Sequence, residues 1–129
     1  MQNNQIDEHK VSSLGKTWIL DLDGTIVKHN GYKIDGHDSF LIGAKEFLEK
    51  IPKEDMIIFV TSRSDEYIDM TKKFLADNKI HYNAIIHNAP FGERILINDA
   101  KPSGLKMAIA VSPRRDEFMN DKFLVDYEL

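Results

Sequence analysis

Apolar and polar positions along this chain fall into blocks that read as strands and helices in turn. The apolar run opening Thr17-Trp18-Ile19-Leu20 is long enough for one buried strand and delivers Asp21-Leu22-Asp23-Gly24-Thr25-Ile26. Val27 to Asp38 is polar and glycine-bearing, a loop or small flap. Asp38 or Ser39 is placed to cap a helix reaching about Ile51. Phe40, Ala44, Phe47, Leu48 and Ile51 share its apolar face, and Pro52 stops it. Met56-Ile57-Ile58-Phe59-Val60 is a second strand, too uniformly apolar to have a wet face. A polar turn, Thr61-Ser62-Arg63-Ser64, leads to a second helix that opens on Asp65 and Glu66, whose charges suit its positive end, and stops near Asn78.

Ala84-Ile85-Ile86-His87 reads as a short third strand, and Ile95-Leu96-Ile97 as a fourth that ends in Asn98-Asp99. Lys106 to Val111 reads as a further strand, and Phe123-Leu124-Val125 as an edge strand. Residues 1–15 form a polar arm in this reading and residues 16–129 a single domain. Strands alternating with helices imply crossover connections and a parallel sheet covered on both faces, an α/β fold. Ligands in such folds bind beyond the carboxyl ends of the strands, where the strand order reverses. Three polar clusters fall at those ends: Asp21/Asp23, Thr61/Ser62 and Asn98/Asp99.

Composition narrows the classes. There are no cysteines, so disulfides and thiolate metal sites are excluded and a reducing, cytoplasmic setting is expected. A formal charge of −4 argues against nonspecific nucleic-acid binding. The apolar runs are too short to span a bilayer, and the polar N-terminus lacks a signal segment, so no membrane partner is expected. The five histidines show no metal-site spacing.

Asp21 and Asp23, one residue apart at a strand end, repel unless a cation or proton lies between them. A hard ion taken through oxygen, Mg²⁺, is the natural neutraliser. The Gly24 that follows suits a tight turn with close backbone approach to a ligand.

Asp21-Leu22-Asp23-Gly24-Thr25 resembles the first signature of the haloacid dehalogenase-like (HAD) phosphohydrolases. The resemblance implies a Rossmann-like three-layer sandwich with a mainly parallel sheet. It also implies hydrolysis of a phosphomonoester through an aspartyl phosphate. On this reading Asp21 is the nucleophile, and Asp23 the acid/base whose backbone carbonyl joins the Mg²⁺ shell. Gly24 and Thr25 approach the substrate. Thr61 takes the place of the second-signature hydroxyl, with Ser62 and Arg63 beside the substrate, although a turn-forming Thr is the plainer alternative. Asp99, with Asn98 where many relatives have a second acid, would complete the metal site. The third-signature cation is missing, because Ala89 stands where lysine is expected. Lys101, in Asn98-Asp99-Ala100-Lys101-Pro102, is the substitute, and Arg94 the fallback. That pattern is similar to one in small HAD phosphatases associated with capsule and lipopolysaccharide biosynthesis, so a phosphorylated sugar or related metabolite is the expected substrate.

The spacing leaves no room for a cap domain: a flap separates Asp23 from Phe40, and one helix and one strand fill Thr61 to Ile95. Capless relatives act on large substrates or let a neighbouring subunit close the site, so a homo-oligomer is expected. His29, Tyr32 and Lys33 flank the strand ends, where loop residues face substrate. Two other classes compete: a catalytically silent HAD-like binding module, suggested by Asn98 and the missing lysine, and a signalling receiver domain. The receiver is disfavoured because the third strand ends in Ile86-His87, with no Asp to phosphorylate.

Overall fold

The structure is a computed structural model that describes residues 6–129. It falls into two units. One comprises Gly15–Phe91 with Pro113–Phe118, and the other residues 6–14 with Gly92–Ser112 and Met119–Leu129.

The larger unit is a small parallel α/β layer. Strand β2 (Thr17–Asp21) pairs in parallel with β3 (Met56–Val60), and β3 with β4 (Ala84–Ile86), in the order β2-β3-β4. Asp21 is in register with Val60, and Val60 with Ile86, so the three strands finish along one edge. The order runs in one direction, without the reversal expected from the sequence. Helices α2 (Ala44–Lys50) and α3 (Asp65–Asp77) make the crossovers. Their apolar faces meet the sheet in a core built from Leu22, Ile26, Val27, Ala44, Leu48, Ile57, Phe59, Leu75 and Ile80. Full burial of a side chain such as Phe59 contributes about 1.5–3 kcal/mol.

Local chemistry sets the element ends. Asn78 closes α3: its side-chain amide and its backbone N–H both donate to the Phe74 carbonyl, at 2.9 and 3.2 Å. Ile51 leaves α2 in an extended conformation, as a residue before proline must. The start of α2 differs from expectation. It begins after Gly43, at φ 91°, and Asp38 caps nothing because its carboxylate is drawn into the interior by Arg63. The expected loop at 27–38 contains a one-turn helix, α1 (Gly31–Ile34). Strand β3 alternates, with Ile57 and Phe59 buried and Met56 exposed, because the layer covers one face of the sheet more fully than the other.

In the second unit, β1 (Glu8–Val11) pairs in parallel with β5 (Lys122–Val125), and the imidazole of His9 stacks on Phe123 and meets Asp121 at 2.7 Å. The expected edge strand at 123–125 is thus present. Residues 8–11, read as loose arm, are ordered by a partner far along the chain that local polarity does not reveal; residues 1–5 lie outside the described residues. The expected strands at Ile95–Ile97 and Lys106–Val111 do not form. Ile95 and Ile97 are 83% and 90% exposed. An apolar triplet becomes a strand only with a backbone partner and cover for its side chains, and the pattern alone specifies neither. Among the described residues, no helix is long and apolar enough to cross a membrane.

Candidate active site

The residues after β2 build the site. The carbonyl of Leu22 accepts the N–H groups of Thr25, Ile26 and Val27, at 3.2, 2.9 and 3.0 Å, while Gly24 N–H donates to the Val27 carbonyl at 2.7 Å. This knot requires Gly24 at φ 82°, a conformation costly for residues with a β-carbon. It buries Leu22, Ile26 and Val27 and leaves Asp21, Asp23, Gly24 and Thr25 lining one polar cavity of about 250 Å³. Within it, the Thr25 hydroxyl donates to Asp21 Oδ2 at 2.9 Å.

Asp23 is gripped by Arg63. Nε and Nη2 of the guanidinium donate to the two Asp23 oxygens at 3.0 and 2.9 Å, while Nη1 and Nη2 donate to the two Asp38 oxygens at 2.9 and 2.7 Å. Nη1 also donates to Thr71 Oγ1 at 2.8 Å, and the guanidinium lies 4.0 Å from the Tyr32 ring centre. Burial disfavours the charged arginine, but the hydrogen bonds and charges of Asp38 and Asp23 outweigh it and raise its pKa. Arg63, expected beside the substrate, is instead an internal clamp, 3% exposed. The physical reason is valence, since its donor groups are spread over two carboxylates and a hydroxyl.

Thr61 is 1% exposed and does not line the cavity; its hydroxyl accepts the Arg63 N–H at 3.1 Å, the turn-forming role. The Ser62 hydroxyl donates to the Pro90 carbonyl at 3.3 Å. Tyr32 is buried, edge-on to Tyr67, with the Lys33 ammonium over both rings. Beyond β4, His87 Nε2 and the Asn88 amide both meet Asp65 Oδ1, at 2.8 and 2.7 Å, and these bonds lower the Asp65 pKa. Asn98, Asp99, Lys101 and Arg94 belong to the other unit, in a segment without regular secondary structure. Among the described residues, no group of three or more His, Cys, Asp or Glu side chains is gathered as a metal cluster.

Two participants went unnoticed in the sequence. Pro113 and Arg115 complete the cavity lining. Asp116 ties their segment down: its N–H donates to the Gly24 carbonyl at 2.8 Å, and its Oδ1 accepts the His29 N–H at 2.7 Å. The only local signal was a charged turn, Arg114-Arg115-Asp116, following a proline.

No family model matches the chain, and no curated protein does. A chain in the solved structure of a Pnkp1/Rnl/Hen1 complex is similar, at TM-score 0.50 and 25% identity over 66% of this chain and 32% of that one. The present chain thus spans about a third of that neighbour's length. The likeness accords with a small α/β architecture of mostly parallel strands, compatible with a Rossmann-like fold.

Proposed function

We infer that this chain is a Mg²⁺-dependent phosphatase that hydrolyses a small phosphomonoester through an aspartyl phosphate on Asp21. The observation carrying the reading is that Asp21 and Asp23 share one polar cavity at a strand's carboxyl end, with Thr25 bonded to Asp21 and Arg63 to Asp23. In this reading a carboxylate oxygen of Asp21 attacks phosphorus and the bond to the leaving oxygen breaks. Asp23 gives that oxygen its proton. Asp23 then takes a proton from water, whose oxygen attacks phosphorus and releases inorganic phosphate and free Asp21. The Arg63 clamp holds both Asp23 oxygens, so in this reading one of them leaves the guanidinium to carry the proton; 17% of the side-chain surface is exposed.

The donor set fits a hard cation. Asp21 would hold Mg²⁺ through its carboxylate, and Asp23 through its backbone carbonyl. When bound, the ion supplies charge neutralisation at the phosphoryl oxygens. The cavity of about 250 Å³ is smaller than the usual ~300–1,000 Å³ of ligand pockets, which suits a phosphoryl group with its carrier projecting outward. A phosphorylated sugar as carrier, the capless three-layer fold, an oligomer, and metal or charge roles for Asp99, Asn98 and Lys101 rest on the sequence resemblance.

Hydrolysis of an aryl phosphate is expected with Mg²⁺ and lost with chelator, and Asp21→Asn abolishes turnover while leaving the fold intact. Substantial turnover by Asp21→Asn removes the nucleophile assignment. A wild-type protein inert at every metal concentration points instead to a silent binding module, a reading favoured by the double grip on Asp23.

A further inference from the structure

Attack of a carboxylate on a phosphoryl group brings two anions together, and the cavity already carries Asp21 and Asp23. Arg63 does not relieve this, because its charge is spent between Asp23 and the buried Asp38. The cation lining the cavity is Arg115. Its stem crosses directly over Gly24: a β-carbon at Gly24 would stand 2.9 Å from Arg115 Cγ and 3.7 Å from its Cβ. Any side chain at position 24 would therefore displace Arg115 as well as strain the loop.

Asp116 holds the arginine to this place. It adopts φ 65° and bonds through its N–H to Gly24 and through its carboxylate to the N–H of His29. The loop carrying Asp23 and the turn carrying Arg115 are thus laced together at Gly24 and at His29. Because Arg115 is exposed, its guanidinium is accessible to an incoming ligand, and the planar fork suits two oxygens of one phosphoryl group.

We propose that Arg115 is the phosphoryl-binding cation of the Asp21/Asp23 cavity and that Asp116 is its positioning residue. The role as a catalytic group rests on the phosphatase reading; the role as an anion ligand does not. Arg115 thereby fills the place for which the sequence offered Lys101 or Arg94.

The test measures inorganic phosphate affinity by calorimetry, and aryl phosphate turnover, in wild type, Arg115→Ala, Arg115→Lys, Asp116→Gly and Asp116→Asn. Circular dichroism of each variant checks the fold, which an exposed side chain should not disturb. Arg115→Ala is expected to weaken phosphate binding at least ~10-fold and to lower kcat/KM about 100-fold, the scale for losing one preorganised charge-stabilising donor. Arg115→Lys restores part of both. Asp116→Gly keeps the left-handed backbone but loses the carboxylate, so KM rises more than kcat falls; Asp116→Asn retains an oxygen acceptor and rescues it. Unchanged turnover and phosphate affinity in Arg115→Ala overturn the proposal while leaving the phosphatase standing. If wild type binds phosphate without turnover and Arg115→Ala does not bind, the anion site stands and the phosphatase falls. Wild type that binds no phosphate overturns the site itself.

Discussion

Replacing Arg63 with alanine breaks the buried clamp of the larger unit. Intact, the clamp contributes little net stability, because desolvating three charged groups offsets much of their attraction. Broken, it leaves Asp38, its side chain 2% exposed, buried without its cation, and frees Asp23 as well. Removing one partner of a buried pair costs about 3–5 kcal/mol, against a typical total stability of about 5–15 kcal/mol. With a urea slope near ~2 kcal/mol/M, a loss of ~4 kcal/mol moves the unfolding midpoint down by ~2 M. Arg63→Lys recovers only part, since an ammonium cannot span two carboxylates and lie on Tyr32. Adding Asp38→Asn to Arg63→Ala should regain stability by removing the stranded charge. The folded-state pKa of Arg63 is raised, so the arginine stays charged below its ordinary range and its own titration adds no pH dependence near neutrality. A midpoint shift under ~0.3 M for Arg63→Ala, or a double variant no better than the single one, would refute this account.

Two further expectations concern polar contacts away from the cavity. Asp55, 5% exposed, accepts the Trp18 indole N–H at 2.9 Å and the Lys16 N–H at 3.0 Å, so Asp55→Ala should cost about 1–3 kcal/mol and shift the emission of the single tryptophan; an unchanged spectrum and midpoint would contradict it. Because Asn88 and His87 hold the Asp65 carboxyl below its ordinary range, its stabilisation is present above that range and lost as pH falls through it. The Tm difference between wild type and Asp65→Asn should therefore shrink from about pH 5 to about pH 2.5, and a constant difference would show that the contact contributes nothing.

Local signals located the elements that local energetics decide. Met56–Val60 appears at its expected bounds, α3 begins on its two acids and ends at Asn78, and Pro52 ends α2. The acidic pair after β2 was legible because a strand end, two carboxylates and a left-handed glycine coincide within a few residues. What escaped was set by distance along the chain. Asp38 looks like a helix cap until Arg63, 25 residues on, draws its carboxylate inward. Asp116 looks like a solvated turn until His29, 87 residues earlier, donates to it. The strand character of residues 8–11 likewise depends on residues 122–125. Apolar runs at 95–97 and 106–111 erred the other way, having the composition of strands without a ladder to join.

The parallel ladder of the smaller unit bears on how the chain is made. Its members are translated at opposite ends of the described sequence: His9 and Asp121, which meet beside the β1–β5 pairing, are 112 positions apart. Closing so wide a loop is entropically slow and cannot begin until the late segment leaves the ribosome. A nascent chain stalled before Lys122 therefore exposes an unmated β1 strand, a ready target for chaperones.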